Sequence, residues 1–221
     1  RAELLERSVS VNREVLALQR KVFGVRYPGL VLTAWNLATV LRDLGDADAA
    51  LAAIDDALAA AGDADGDVRE QVVRVLRLRG DLQRTAGDHA AALATYTEAL
   101  GVARQRGADG GDASHLLQAI TGELVALDRC DEALPLSLEC MALRERLWGK
   151  DASAARSAQR RHGQVLTGLQ RFAEAETLLL EVAQRSLELD GADGEIVART
   201  RAALASLYER WGRPDEAAKW R

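Results

Sequence analysis

Cys130, Cys140, His89, His115 and His162 are the side chains in this 221-residue chain best suited to hold a metal ion, and their spacing argues against it. The cysteines stand ten residues apart instead of forming the close pair of a zinc or redox motif, and the histidines are scattered singly. Both thiols are expected to be small buried side chains in a reducing compartment. Asp63, Asp65 and Asp67 have the alternation of a calcium loop. However, Val68 stands where such a loop needs glycine, and Arg74 where it needs a bidentate glutamate. A solvated loop is expected there. No nucleophile elbow, HExxH, phosphate loop or dinucleotide fingerprint occurs, and Asp55–Asp56 lie on the exposed face of a predicted helix without a partner base. The sequence therefore predicts no catalytic residues, no metal and no cofactor.

The elements that would position any site are helical. Hydrophobic residues make up 48% of the chain and aromatics only 4%, so Ala and Leu carry the apolar content and favour closely packed helices. A net charge of −5 argues against nucleic acid, which wants a basic footprint. No apolar run approaches the roughly 18 residues of a membrane span and no signal peptide opens the chain, so a cytoplasmic protein with no membrane insertion is expected. Arg1 stands where an initiating Met would, which gives the expectation of a piece of something longer. Lysine occurs only at 21, 150 and 219, an arginine bias that suits a GC-rich bacterial genome.

One segment recurs. "LRDLGDADAALAAIDDALA" (41–59), "QRTAGDHAAALATYTEALG" (83–101), "LVALDRCDEALPLSLECMA" (124–142), "LTGLQRFAEAETLLLEVAQ" (166–184) and "YERWGRPDEAAKWR" (208–221) align on Gly45, Gly87, Asp128, Gln170 and Gly212, at separations of 42, 41, 42 and 42 residues. Five residues beyond each turn stands Ala50, Ala92, Ala133, Ala175 or Ala217. Seven before it stands Ala38, Gly80, Thr121, Gly163 or Ala205. Apolar residues recur at helical spacing on both sides of each turn, as in Leu37, Val40, Leu41 and Leu44, then Leu51, Ile54 and Leu58. Two helices joined by a short turn pack antiparallel, and only small side chains fit where their axes come closest. A lone hairpin cannot bury its faces, so neighbours must stack.

This pattern resembles the tetratricopeptide repeat (TPR), whose small residue, alanine and second small residue occupy repeat positions 8, 20 and 27. Position 27 reads Ala57, Ala99, Cys140 and Val182. The long period and "VLALQRKVFGVRYPGLVLTAWNLATVL" are similar to the repeats of kinesin light chains and their bacterial relatives, with Gly24, Gly149 and Gly191 as C′ glycines. The resemblance implies an all-α, right-handed solenoid of helical hairpins over residues 1–221. Residues 1–24 are its leading second helix, 25–66, 67–112, 113–149 and 150–191 its repeats, and 192–221 a half-capped end. The glycine-rich joins 62–67, 107–114 and 191–195 read as loops.

The resemblance also implies a binding face, since in this family the first helices line the concave side. The corresponding positions include Trp35, Asn36, Thr39, Arg42, Arg74, Arg77, Arg84, Arg160, Arg161, Gln164 and Arg199, together with Leu78, Thr167 and Ala203. Across that face eight arginines (42, 74, 77, 84, 160, 161, 199, 210) against three acids (43, 81, 209) give +5, leaving −10 elsewhere. Such a face would attract an acidic or phosphorylated protein segment; paired or merely solvated arginines are the competing reading. Arg13 and Arg144 fall outside it. No three successive repeats supply the family's chaperone carboxylate clamp, and Arg77 is followed by Asp81 where that clamp needs Asn. Only Asn36 remains of the asparagines with which kinesin-light-chain grooves hold a peptide backbone.

The implied function is a non-enzymatic protein-interaction module. "LYERWGRPDEAAKWR" and "GQVLTGLQRFAEAETLL" resemble repeat regions C-terminal to bacterial serine/threonine kinase domains, which implies a scaffolding part of a larger signalling protein. A peptide-sensing or self-associating adaptor is the alternative. RNA binding is disfavoured by charge and by the lack of aromatic stacking positions. The closing "PDEAAKWR" is expected to form a short helix with Trp220 packing back and its charges facing water.

Overall fold

The computed structural model describes residues 2–62, 67–105, 110–191 and 194–221. They form eleven helices and, among the described residues, no strand. These are α1 (Ala2–Phe23), α2 (Gly29–Asp43), α3 (Ala47–Ala61), α4 (Asp67–Thr85), α5 (His89–Arg104), α6 (Gly111–Ala126), α7 (Cys130–Trp148), α8 (Ser153–Gly168), α9 (Phe172–Asp190), α10 (Glu195–Arg210) and α11 (Pro214–Ala218). The chain divides into two compact units, Arg1–Ala108 and Asp109–Arg221.

Each hairpin is made by one backbone device. Gly45, Gly87 and Gly212 adopt φ of +82°, +82° and +75°, and Asp128 and Gln170 adopt 56° and 59°. The left-handed residue ends one helix, and the next amide reaches back to close it, Asp46 to Leu41 at 3.0 Å and Arg129 to Leu124 at 2.8 Å. A second helix then starts at once. Asp46 and Asp88 cap α3 and α5 by accepting from the amides of Ala49 and Ala91.

The small residues sit where helices cross. Ala50, Ala92, Ala133 and Ala175 are fully buried and Ala217 is 1% exposed. At Gly80 a Cβ would lie 2.5 Å from the Tyr96 ring. Leu30, Val31, Leu37, Leu41 and Ile54 fill unit 1; Leu166, Leu179, Leu204 and Leu207 fill part of unit 2, where Ala217 and Trp220 pack onto them as expected. Each such Leu or Ile side chain contributes about 1.5–3 kcal/mol on burial. On α1, by contrast, Leu4, Val11, Leu18 and Val22 are more than half exposed.

One boundary differs from the sequence reading. α6 begins at Gly111, inside the segment 107–114 read as a loop, because Ala113 and Ser114 are buried and the Ser114 hydroxyl donates to the Gly111 carbonyl. Arg144, on the second helix α7, is 4% exposed and gives Nη1 and Nη2 to the carbonyls of Ala154 and Ser114. Asp63 and Asp65, where a solvated loop is expected, lie outside the described residues.

In unit 1, α2 packs on α4. In unit 2, α6 packs on α8 and α8 on α10. Within each unit the backbones of the second helices lie farther apart than those of the first helices, and α1 and α3 meet through side chains, as in the Arg20–Asp56 ion pair at 2.9 Å. The closer approach of the first helices makes their surface the inner face of each unit.

Candidate functional site

The inner face of unit 1 carries its arginines with carboxylates beside them. Arg42 donates from Nε and Nη2 to Asp43 Oδ1 at 3.0 and 2.7 Å. Arg74 pairs with Glu70 one turn earlier. Arg84 Nη2 lies 2.9 Å from Asp81 Oδ1, which also accepts the Tyr96 hydroxyl at 2.7 Å. Arg42 and Arg84 meet at an open depression of about 330 Å³, lined also by Gly45, Asp81, Leu82 and Thr85. Asn36 is exposed, Arg77 half-buried, and the Thr39 hydroxyl bonds back to the Trp35 carbonyl at 2.9 Å. Trp35 packs against the core, and Leu78 is part of it at 4% exposed, so α2 and α4 turn these two side chains inward.

Unit 2 is different. α8 presents Arg160 and Arg161 side by side, and Gln164 Oε1 accepts from both, at 3.2 Å from Arg160 Nη1 and 3.0 Å from Arg161 Nη1. Gly122 on α6 makes room for Arg161, whose Nη2 would lie 3.1 Å from a Cβ there. Gln118 Nε2 ties α6 to α8 through the Ser157 carbonyl at 3.2 Å. Arg199 on α10 is exposed and pairs with Glu195. Arg160 is only 6% exposed. Burial first, then the like charges of Arg161 and Arg199, pull its pKa down to about 10, with Glu195 acting weakly the other way. Thr167 and Ala203 are buried and belong to the packing. The structure brings the expected inner-face residues Arg160, Arg161 and Gln164 together, with Arg199 on the adjoining α10. Sequence spacing did not show which would be buried, because register fixes a helix face and says nothing of how deep the neighbouring helix sits.

Behind this face lie polar groups that the spacing did not reveal. Arg156, 3% exposed, makes a two-pronged bond to Asp190 at 2.8 and 2.8 Å, holding the end of α9 on α8 and keeping that carboxyl below its usual range. His162 Nδ1 lies 2.8 Å from the Ser137 hydroxyl inside the α7–α8 contact. Burial, chiefly, lowers its pKa; Arg171 adds to that and Glu174 opposes it. Cys140 is buried, and its thiol is pushed up to about 11 by burial, which leaves it a poor nucleophile or ligand. Among the described residues no group of three or more His, Cys, Asp and Glu is placed to hold a metal ion, and no helix is long and apolar enough to cross a membrane.

Hairpins joined by left-handed turns, with small residues at each crossing and first helices lining an inner face, define a helical-repeat scaffold. The chain belongs to the tetratricopeptide repeat family, whose model matches residues 30–105 and 153–220. Among solved structures it is similar to BtubC (BKLC) from P. vanneervenii, at 17% identity and a TM-score of 0.76, covering 98% of this chain and 87% of that one. It is also similar to a putative kinesin light chain of Podosopora anserina with nearly identical TPR-like repeats, at 13% identity and a TM-score of 0.70, covering 88% and 92%. A third similar structure is YrrB, described as a TPR protein with an unusual peptide-binding site, at 17% identity and a TM-score of 0.57, covering 86% and 82%. These likenesses show the fold. No curated protein matches the chain in sequence.

Proposed function

We propose that this chain is a non-catalytic protein-interaction module that binds an acidic or phosphorylated segment of a partner on its inner faces. One observation carries the reading. The first helices that line those faces bear Arg42, Arg74, Arg77 and Arg84 in unit 1 and Arg160, Arg161 and Arg199 in unit 2, in a chain whose net charge is −5. Positive faces on an acidic body steer acidic segments and supply bidentate geometry for carboxylates. The peptide-binding site named for YrrB makes a peptide a reasonable occupant of this fold. A place within a larger signalling protein such as a bacterial serine/threonine kinase rests on the resemblance of residues 163–179 and 207–221 to kinase-associated repeats, and the gene sequence upstream of Arg1 tests it.

The binding experiment is fluorescence anisotropy with labelled octaglutamate and octalysine at about 50 and 500 mM salt. Octaglutamate should bind and weaken with salt while octalysine should not bind. Equal binding of both peptides, or indifference to salt, would sink the proposal.

Self-association is a second reading, favoured by the exposed stripe Leu4, Val11, Leu18 and Val22 on α1. Sedimentation showing a dimer that Leu18→Glu dissociates supports it; a monomer at every concentration rejects it.

A further inference from the structure

The apolar residues of α1 divide between two faces. Val9 and Leu16 are buried in the core shared with α2, while Leu4, Val11, Val15, Leu18 and Val22 form a second stripe at heptad spacing that is left uncovered. The repeat register identifies that stripe. At the positions of Ser8, Val15 and Leu18, α3 carries Ala50, Ala57 and Ala60, and α7 carries Ala133, Cys140 and Leu143. All six are buried, in helices that pack on α2 and α6. The stripe is therefore the face with which a second helix meets an antiparallel neighbour, and an apolar antiparallel helix is the occupant it is shaped for.

The edges of the stripe narrow the choice of helix. Glu14 and Lys21 stand one heptad apart along one edge, both exposed, and among the described residues neither has an ion pair. The uncharged Asn12 and Gln19 stand along the other. Two copies of α1 laid antiparallel, with Val15 opposite Leu18 of the second copy, also bring Val11 opposite its Val22. That register sets each Glu14 beside the other copy's Lys21, giving two ion pairs related by a two-fold axis. Sliding one helix by a heptad, so that Leu4 faces Val22, instead sets Glu14 against Glu14 and Arg7 against Lys21. Charge selects the first register. Among the described residues no other helix exposes an apolar stripe of comparable length, so the surface of this molecule that matches α1 is α1 itself.

We infer that α1 is a dimerisation helix, pairing antiparallel with α1 of a second copy through Val11, Val15, Leu18 and Val22, with Glu14 and Lys21 joined across the seam. This rests on the self-association reading above and deepens it, since it names the partner helix, its direction and its register. A seam of four apolar residues a side lies at the low end of specific interfaces, so monomer and dimer should exchange in the micromolar range.

The test is sedimentation velocity of the whole chain from about 1 to 300 µM at about 50 mM salt. Wild type should pass from monomer to dimer. L18E should stay monomeric while keeping the circular dichroism and urea midpoint of wild type, since Leu18 is 67% exposed. E14K and K21E should each weaken the dimer about fivefold or more by setting like charges across the seam. Mixed one to one, E14K and K21E should form a heterodimer at least as strong as the wild-type dimer, and E14K/K21E in one chain should restore pairing. A dimer that L18E abolishes but that ignores both charge changes leaves self-association standing and overturns the antiparallel register. A dimer untouched by L18E places the contact elsewhere and overturns the inference. A monomer at every concentration overturns both readings, and the stripe then belongs to a helix of another protein or of the chain ahead of Arg1.

Discussion

The hairpin turns of unit 1 and unit 2 follow one backbone path with different residues on it. Gly45–Asp46 and Gly87–Asp88 meet the left-handed position with glycine and then cap the next helix with a carboxylate. Asp128–Arg129 and Gln170–Arg171 put side chains through the same positive φ, and the arginine that follows bonds a glutamate three residues on instead of capping an amide. The inner faces differ in the same spirit. Arginines on α2 and α4 sit beside their own carboxylates, whereas on α8 the buried Arg160 and its neighbour Arg161 share the amide of Gln164. The shared register fixes backbone and crossing points. What a given unit can bind is decided by side chains at equivalent positions.

The equivalence of the crossings is the first thing to break. Ala50→Leu and Ala133→Leu should each cost on the order of 1–3 kcal/mol in urea unfolding, since both alanines are fully buried. A cost at one and not the other would mean the two hairpins are not packed alike. Smaller effects should follow a swap at the turns. Gln170→Gly should stabilise by about 1 kcal/mol by removing a side chain from a left-handed residue, and Gly87→Gln should cost a similar amount. Asp88→Ala should lose about 1 kcal/mol with its cap, while Arg171→Ala, an exposed ion-pair partner, should change the urea midpoint little.

Legibility in the sequence followed the same division. The five alanines, the five turn residues and the C′ glycines were readable because steric rules at a crossing or at positive φ leave few residue types. Gly24, Gly149 and Gly191 do adopt φ of +85°, +86° and +74°. The first-helix positions were also readable, which is why Arg160, Arg161 and Gln164 could be placed on one helix face. Their states were not. Whether an arginine is solvated, paired or enclosed depends on partners from other helices, as with Arg144 under α6 and α8 or Arg156 on Asp190. Trp35 and Leu78 were placed on the right helices but face the core, because a helix face several residues wide spans both inward and outward directions.

A subtler contrast should appear with pH. His162 has its folded pKa below the ordinary 6.5, so the unfolded chain takes the proton first. Its contribution is present above about 6.5 and is lost as pH falls from there toward the folded pKa. Urea midpoints should therefore decline on going from pH 7 toward 5, and His162→Gln should flatten that decline. Below the ordinary carboxylate range a second, smaller loss should follow in unit 2, where the buried Arg156 holds Asp190 low, while the solvent-exposed pairs of Arg129, Arg171 and Arg185 add little. A midpoint equally flat in wild type and His162→Gln from pH 7 to 5 would contradict the first step.

Hydrogen exchange with and without saturating octaglutamate tests the central claim most directly, because it reports which helices engage the ligand. Slowed exchange in the first helices α2, α4, α8 and α10, with little change in the second helices α3, α5, α7 and α9, is the predicted result. Protection confined to the second helices, or none in any helix, would contradict it.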